Sequence, residues 1–298
     1  MKSIRTIVLA MCTLMMSVPV QADELLKPFI LAEKSAGDVA EKLADTKGKL
    51  IAAGFEIAGQ YSPYEGVTIV VFTNDVLKTV AGASEYGAYA AAQRVSLTQY
   101  NGEIQVAYTN PEYAAHAFRL DQNLREVRQT LAVSLGDQGQ FGPEKGLSKE
   151  QLREYHYKFM MPYVDDIDEL KEYDSYEQAV SAVEKALASN KGGVSKVYSI
   201  NLPGDKTLFG VAMTEGQSSD EYIMSEIDFK ELRSSAHLPY ELLVDGDEVV
   251  ALNAKFRIAI NFPDLSMMGA NSFMNIMSSP TEIKEALTWA AGGEVFEY

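Results

Sequence analysis

The sequence predicts an α+β fold, two repeated units of helix and antiparallel sheet that follow a cleaved signal peptide. Three observations predict it. Amphipathic helical stretches alternate with β-branched runs along the chain. The order of those elements recurs in the second half. The segment Ser96 to Tyr113 also matches Glu248 to Leu265 at a gapless offset, with Asn101 on Asn253 and Ile104, Val106 and Tyr108 on Phe256, Ile258 and Ile260. Apolar residues fall on every second position in both, the pattern of a strand with one buried face.

The first unit spans residues 23–136. Ala36 to Ala53 is its opening helix, with Val39, Leu43, Leu50 and Ala53 as apolar stripe and Gly54 as stop. A strand, Phe55 to Gln60, leads through the turn Tyr61 to Gly66 into a buried strand, Val67 to Thr73. Asp75 to Ala92 reads as helix. Asn101-Gly102 marks a hairpin, because both residues accept the positive φ of a type I′ turn. Leu120 to Leu135 closes the unit as a helix before Gly136.

Residues 137–174 read as a linker. Ser148 and Gln151 form a capping box for a short helix reaching Tyr157, and Pro162 ends that segment. The acidic run Asp165 to Glu177 lacks the alternating ligands and central Gly of a calcium loop and reads as a solvated helix flank. The second unit spans 175–298. A helix runs from Ser175 to Ser189, followed by strands at Val194–Leu202 and Thr207–Thr214 and a helical stretch near Tyr222 to Leu232. Hairpin strands come next. The repeat puts their turn at Asn253-Ala254, whereas turn chemistry favours Asp245-Gly246-Asp247. Pro280 at a helix start opens the last helix, to Ala291.

Residues 1–22 have the three parts of an export signal: basic Lys2 and Arg5, the apolar run Ile7 to Met16, and small residues before a cleavage site between Ala22 and Asp23. The run is shorter than the ~20 residues a spanning helix needs. The expected location is the periplasm, with no transmembrane segment. Cys12, the single cysteine, leaves with the signal, so thiol nucleophiles, thiolate metal sites and disulfides are excluded from the exported chain. The full chain has a formal charge of −16, from 26 basic and 42 acidic residues. Such a field repels phosphate backbones, so nucleic acid is not an expected partner.

His237 to Val244, HLPYELLV, followed by an acidic Gly turn, a second strand and a Pro, resembles the family called domain of unknown function 302. The second unit carries this motif better. The corresponding strand of the first starts Arg94-Val95-Ser96-Leu97, without the Pro. The resemblance implies two tandem copies of a compact α+β unit, and pairing of the kind that makes homodimers. It implies no activity and no catalytic residues.

Three histidines, His116, His156 and His237, stand at no metal-ligand spacing. No nucleophile elbow, phosphate loop, dinucleotide fingerprint or paired-His zinc motif occurs. His116 and His237 read as ordinary hydrogen-bonded histidines. Tyr61, Tyr64, Tyr86, Tyr89 and Tyr100 cluster in sequence and read as core residues with a wet edge. Two segments are left as candidate ligand-binding sites. In the first, Tyr155, His156 and Met160 fall within Tyr155 to Met161, where a helix would put His156 and Met160 on one face. In the second, Met267, Met268, Met274 and Met277 crowd Ser266 to Met277, where a helix would align three of them. Thioethers fill flexible cores and also bind soft metals.

The expected function is a non-enzymatic binding or interaction module for an unknown small molecule or protein. No catalytic residue and no cofactor is assigned. The alternative is a copper- or haem-binding periplasmic protein using the Met and His clusters, and an enzyme comes third.

Overall fold

A computed structural model describes residues 24–295, so the expected cleavage site at Ala22 and Asp23 lies outside the described residues. The first half runs β1 (Phe29–Ser35), α1 (Val39–Ala52), β2 (Glu56–Tyr61), β3 (Val67–Thr73), α2 (Asp75–Ala83), β4 (Gln93–Tyr100), β5 (Glu103–Thr109), α3 (Pro111–Ala117), α4 (Arg125–Leu135) and β6 (Gln140–Phe141). A short helix, α5 (Lys149–Arg153), follows. The second half runs β7 (Ile167–Glu172), α6 (Tyr176–Ala188), β8 (Val194–Leu202), β9 (Lys206–Met213), α7 (Asp220–Ile227), β10 (Tyr240–Asp245), β11 (Glu248–Leu252), α8 (Ala254–Asn261) and α9 (Ser279–Ala290). Two antiparallel sheets result, ordered β2-β3-β4-β5-β1-β6 and β8-β9-β10-β11-β7. The fold is α+β. Up to the extra β6, both sheets carry their strands in the same relative order.

The local signals act where the spacing placed them. Asp38, Asn74 and Ser175 each accept a backbone N–H at a helix start, and the Ser148–Gln151 capping box is formed in both directions. Asn101 and Gly102 both have positive φ, as a type I′ hairpin requires.

The repeat register differs from the gapless match. Tyr100 pairs with Glu103 and Asp245 with Glu248, so the second hairpin turns at Gly246-Asp247. Asn253 is the N-cap of α8, and Phe256, Ile258 and Ile260 lie on that helix. The strand-like alternation misled because α8 is buried on nearly all sides and has no polar face to reveal a helical period. Asn110 caps α3 as Asn253 caps α8, which is the structural equivalence.

The stretch 137–174 contributes β6 to the first sheet and β7 to the second. The acidic run expected as a helix flank is the edge strand β7, paired with β11. Leu170 alone is buried there, so the charges leave no alternation to read and keep an exposed edge from aggregating.

Helices α1 and α4 pack on the first sheet, and α6 and α9 on the second. The sheets also meet each other. Edge strands β2 and β8 approach at Gly59, where a Cβ would come within 2.9 Å of Tyr198 Cβ. Both strands are bulged at that point, next to Gly59 and next to Tyr198. The packing is reciprocal. The single turn Gly87–Ala90 of the first half lies on β9 and β10, and the turn Ser235–His237 of the second lies on β3, β4 and β5. One apolar cluster, from Ile69 and Val95 to Phe209 and Leu242, runs through both halves.

Candidate functional site

The linker and the α8–α9 connection form one surface groove. Residues 262–278 are irregular rather than helical, with Gly269 and Asn271 at positive φ, so the expected helical alignment of Met267, Met274 and Met277 does not occur. Buried Phe273 and Ile276 anchor the segment instead. Ser272 fastens it by donating to Asn275 Oδ1 at 2.9 Å. The anchors leave their neighbours outward, and Met267, Met268, Met274 and Met277 are 44%, 69%, 58% and 71% exposed. These four, with Met161 and Phe273, line a groove of about 380 Å³. Lys255, on the first turn of α8, is its one charged lining residue.

The other sequence candidates divide. Tyr155 is buried below the surface, where its hydroxyl donates to Ala259 O at 2.9 Å, so it docks the linker on α8 and does not face the groove. Tyr157 stacks on Phe273 at 4.9 Å between centroids and donates to Leu265 O, which ties the two candidate segments together. His156 and Met160 do not share a helix face, because α5 ends at Arg153. The His156 ring lies 4.5 Å from that of Tyr163. His156 and Met160 line a second, adjoining depression that shares Met161 and Lys255 with the methionine groove. Sequence spacing thus found the segments but not their geometry.

A buried ionic centre joins the halves. Arg94 of β4 pairs with Glu241 of β10, and Arg257 of α8 reaches the other oxygen of the same carboxylate at 3.3 Å. Tyr198 donates to Glu241 at 3.1 Å, and its ring lies over Gly210, where no Cβ would fit. Arg257 Nη1 is 2.9 Å from His237 Nδ1, and His237 Nε2 is 3.1 Å from the Tyr240 hydroxyl. Burial, then the neighbouring guanidiniums of Arg257 and Arg94, hold His237 well below the usual imidazole range. The ring is therefore neutral, accepts from Arg257 at Nδ1 and donates from Nε2 to Tyr240. Burial also pulls Arg94 down to about 10. The sequence offered one signal for this centre: single charges inside apolar runs, Arg94 in AAQRVSL, Glu241 in PYELLV and Arg257 in FRIAI. A buried charge survives only with a partner. His237 thus has its expected hydrogen bonds. His116 does not, since neither ring nitrogen finds a partner, and burial lowers its pKa.

The tyrosines of the first half also disperse. Tyr61 donates to the buried Asp220 at 3.1 Å, and burial raises that carboxyl to about 7. Tyr64 and Tyr100 line a cleft of about 480 Å³ against Asp228 and Arg233 of the second half. Arg233 covers the Tyr100 ring at 4.1 Å, and burial raises Asp228 to about 7.

No helix among the described residues is long and apolar enough to cross a membrane. No family model matches the chain, and no curated protein matches it significantly. Among solved structures, the chain is similar to an uncharacterized conserved protein, DUF302, from Bacillus stearothermophilus. Identity is 17% and the TM-score 0.32, over 36% of this chain and 94% of that one.

Proposed function

We propose that this protein is an exported binding module, without catalysis of its own, built from two tandem copies of the family unit that the sequence resembles. Its ligand is an amphiphile, an apolar chain with an anionic head, held in the methionine groove. One observation carries the reading: two separate segments converge on an open groove whose lining is apolar except for Lys255. Exposed apolar patches of this kind mark binding surfaces. Unbranched thioethers adapt to ligands of varied outline. Lys255, shared with the adjoining depression, supplies the charge complementary to an anionic head.

Dodecanoate displacing anilinonaphthalene sulfonate tests this. Saturable displacement is expected, weakened at least about tenfold in Met274→Gln/Met277→Gln, since each buried methylene is worth about 0.8 kcal/mol. Lys255→Met should weaken dodecanoate but spare dodecanol. Equal binding by parent and variants would sink the reading. Export is tested separately by the N-terminal mass of the protein in a periplasmic fraction, expected to start at Asp23.

A second reading rests on the same five thioethers, Met161, Met267, Met268, Met274 and Met277, which are soft ligands suited to Cu(I). Titration against bicinchoninate distinguishes it. A stoichiometric Cu(I) complex lost in the Met274/Met277 double variant supports copper. Haem gains less, because His156 rests on Tyr163 and Met160 is fully outward, at 88% exposure.

A further inference from the structure

The buried centre between the halves is short of negative charge. Arg94 and Arg257 share the single carboxylate of Glu241. His237 is neutral, and the three nearest phenols, Tyr61, Tyr198 and Tyr240, are held protonated by burial. The next acid, Asp220, is bound to Tyr61 and the Met213 amide rather than to either arginine. Two buried guanidiniums therefore face one carboxylate, and an uncompensated buried cation costs several kcal/mol.

Beside this centre is a chamber of about 30 Å³ whose lining includes both arginines. A water needs roughly 10–15 Å³ of such space, so the chamber has room for two waters or one small ion. Most of its other polar linings are already committed, the exception being the buried Tyr89 hydroxyl, which has no partner. Gln93 bonds Ala90 O and accepts from Thr109, Asn110 donates to Lys27 O and Gln140, and Asn261 donates to Arg257 O. Arg94 Nε is not committed. It is buried and has no hydrogen-bond partner. A cavity, an unspent donor and an excess of positive charge thus coincide at one place. Ala114 and Asn261, the partly exposed residues of the lining, mark its way to the surface.

We propose that this chamber is a binding site for a small monovalent anion of chloride size, held between Arg94 of the first half and Arg257 of the second. The anion supplies the missing charge and stabilises the junction of the two halves. The site is independent of the methionine groove.

The test uses the purified full chain with chloride, bromide or gluconate at equal ionic strength. Chloride and bromide should raise the melting temperature saturably, by about 5 °C at a hundredfold excess over the dissociation constant, whereas gluconate is too large to enter. Ala114→Leu fills the chamber without touching the ionic centre and should abolish the response while the protein still folds. Crystals in bromide should show anomalous scattering within contact of Arg94 Nε. Identical melting in all three salts would overturn the proposal. So would a chloride response that survives Ala114→Leu, or bromide found only at the surface.

Discussion

The two halves have the same strand order and the same capped helix after their hairpin, yet they close differently. The first passes from α3 to α4 through residues 118–124. The second passes from α8 to α9 through residues 262–278, and this longer excursion carries the exposed methionines. They also treat buried acid differently. Glu112 of the first half is fixed by Arg125 at 3.0 Å and Arg128 at 3.2 Å, both from its own α4. Asp220 and Asp228 of the second half are in no such ion pair and rise to about 7 through burial, which at Asp228 outweighs the nearby Arg233 and Lys230. The buried Glu112 of the first half is thus paired within its own half, whereas the second half carries the long loop and the two carboxyls that burial raises. One fold supplies both because its sheets and caps fix the scaffold, while its connections are free to vary.

The sharpest way to break this comparison is to separate the halves. The apolar cluster is continuous across them, and Arg94 without Glu241 is a lone buried cation. Residues 24–146 expressed alone should fail to give a cooperative melt by circular dichroism. A sharp transition would mean that the halves are independent.

Next in size, Glu241→Gln leaves two guanidiniums without their anion and should destabilise the protein by about 3–5 kcal/mol in urea titration. A loss under about 1 kcal/mol would show that the halves do not meet through this carboxylate.

Acid behaviour should set the halves apart in sign. Asp220 is protonated when folded and ionised when unfolded between pH ~4 and 7, so its contribution to stability falls as pH rises through that window. Asp220→Asn keeps the acceptor. Relative to the parent it should gain up to about 1.4 kcal/mol per pH unit across the window and nothing further above pH 8. His237 has the opposite slope below pH ~6.5, but it is present in both proteins and cancels in the difference. Glu112 behaves in reverse. Burial alone would raise it, but Arg125 and Arg128 outweigh burial and lower it. Its stabilisation is present above the unfolded carboxyl range and is lost as pH falls through the lowered folded value. Glu112→Gln should therefore cost most at neutral pH. Paired unfolding curves at pH 4 to 8 check both signs.

The smallest effect tests the shared scaffold. Asn110→Ala and Asn253→Ala each remove one cap and should cost about 1 kcal/mol apiece. A cost several-fold greater at Asn110 than at Asn253 is the informative failure. Asn110 also donates to Lys27 O and Gln140, so part of its role lies beyond the cap.

Legibility in the sequence followed the range of the interaction. Val67–Thr73, the Asn101-Gly102 turn, the Ser148 capping box and Pro280 at the start of α9 were readable because each depends on neighbours a few residues away. The edge strand β7 was not, because its partner β11 lies far along the chain and its own residues are charged. The register of the second hairpin failed for a related reason. An all-round buried helix and a strand both show apolar residues at every second position, and only packing separates them.

The sequence by itself determined that the chain is α+β, that its elements run twice in one order, and that methionines crowd two segments. These are matters of composition and short spacing. Tertiary structure decided that the two segments share a groove, that Tyr155 turns away from it, and that Arg94, Glu241 and Arg257 meet in the interior. Most such contacts join residues more than a hundred positions apart, as Arg94 to Glu241 and Tyr155 to Ala259 do, and no local propensity encodes them. They arise because the two halves share one buried interior, and the low dielectric there obliges each buried charge to find its counterpart.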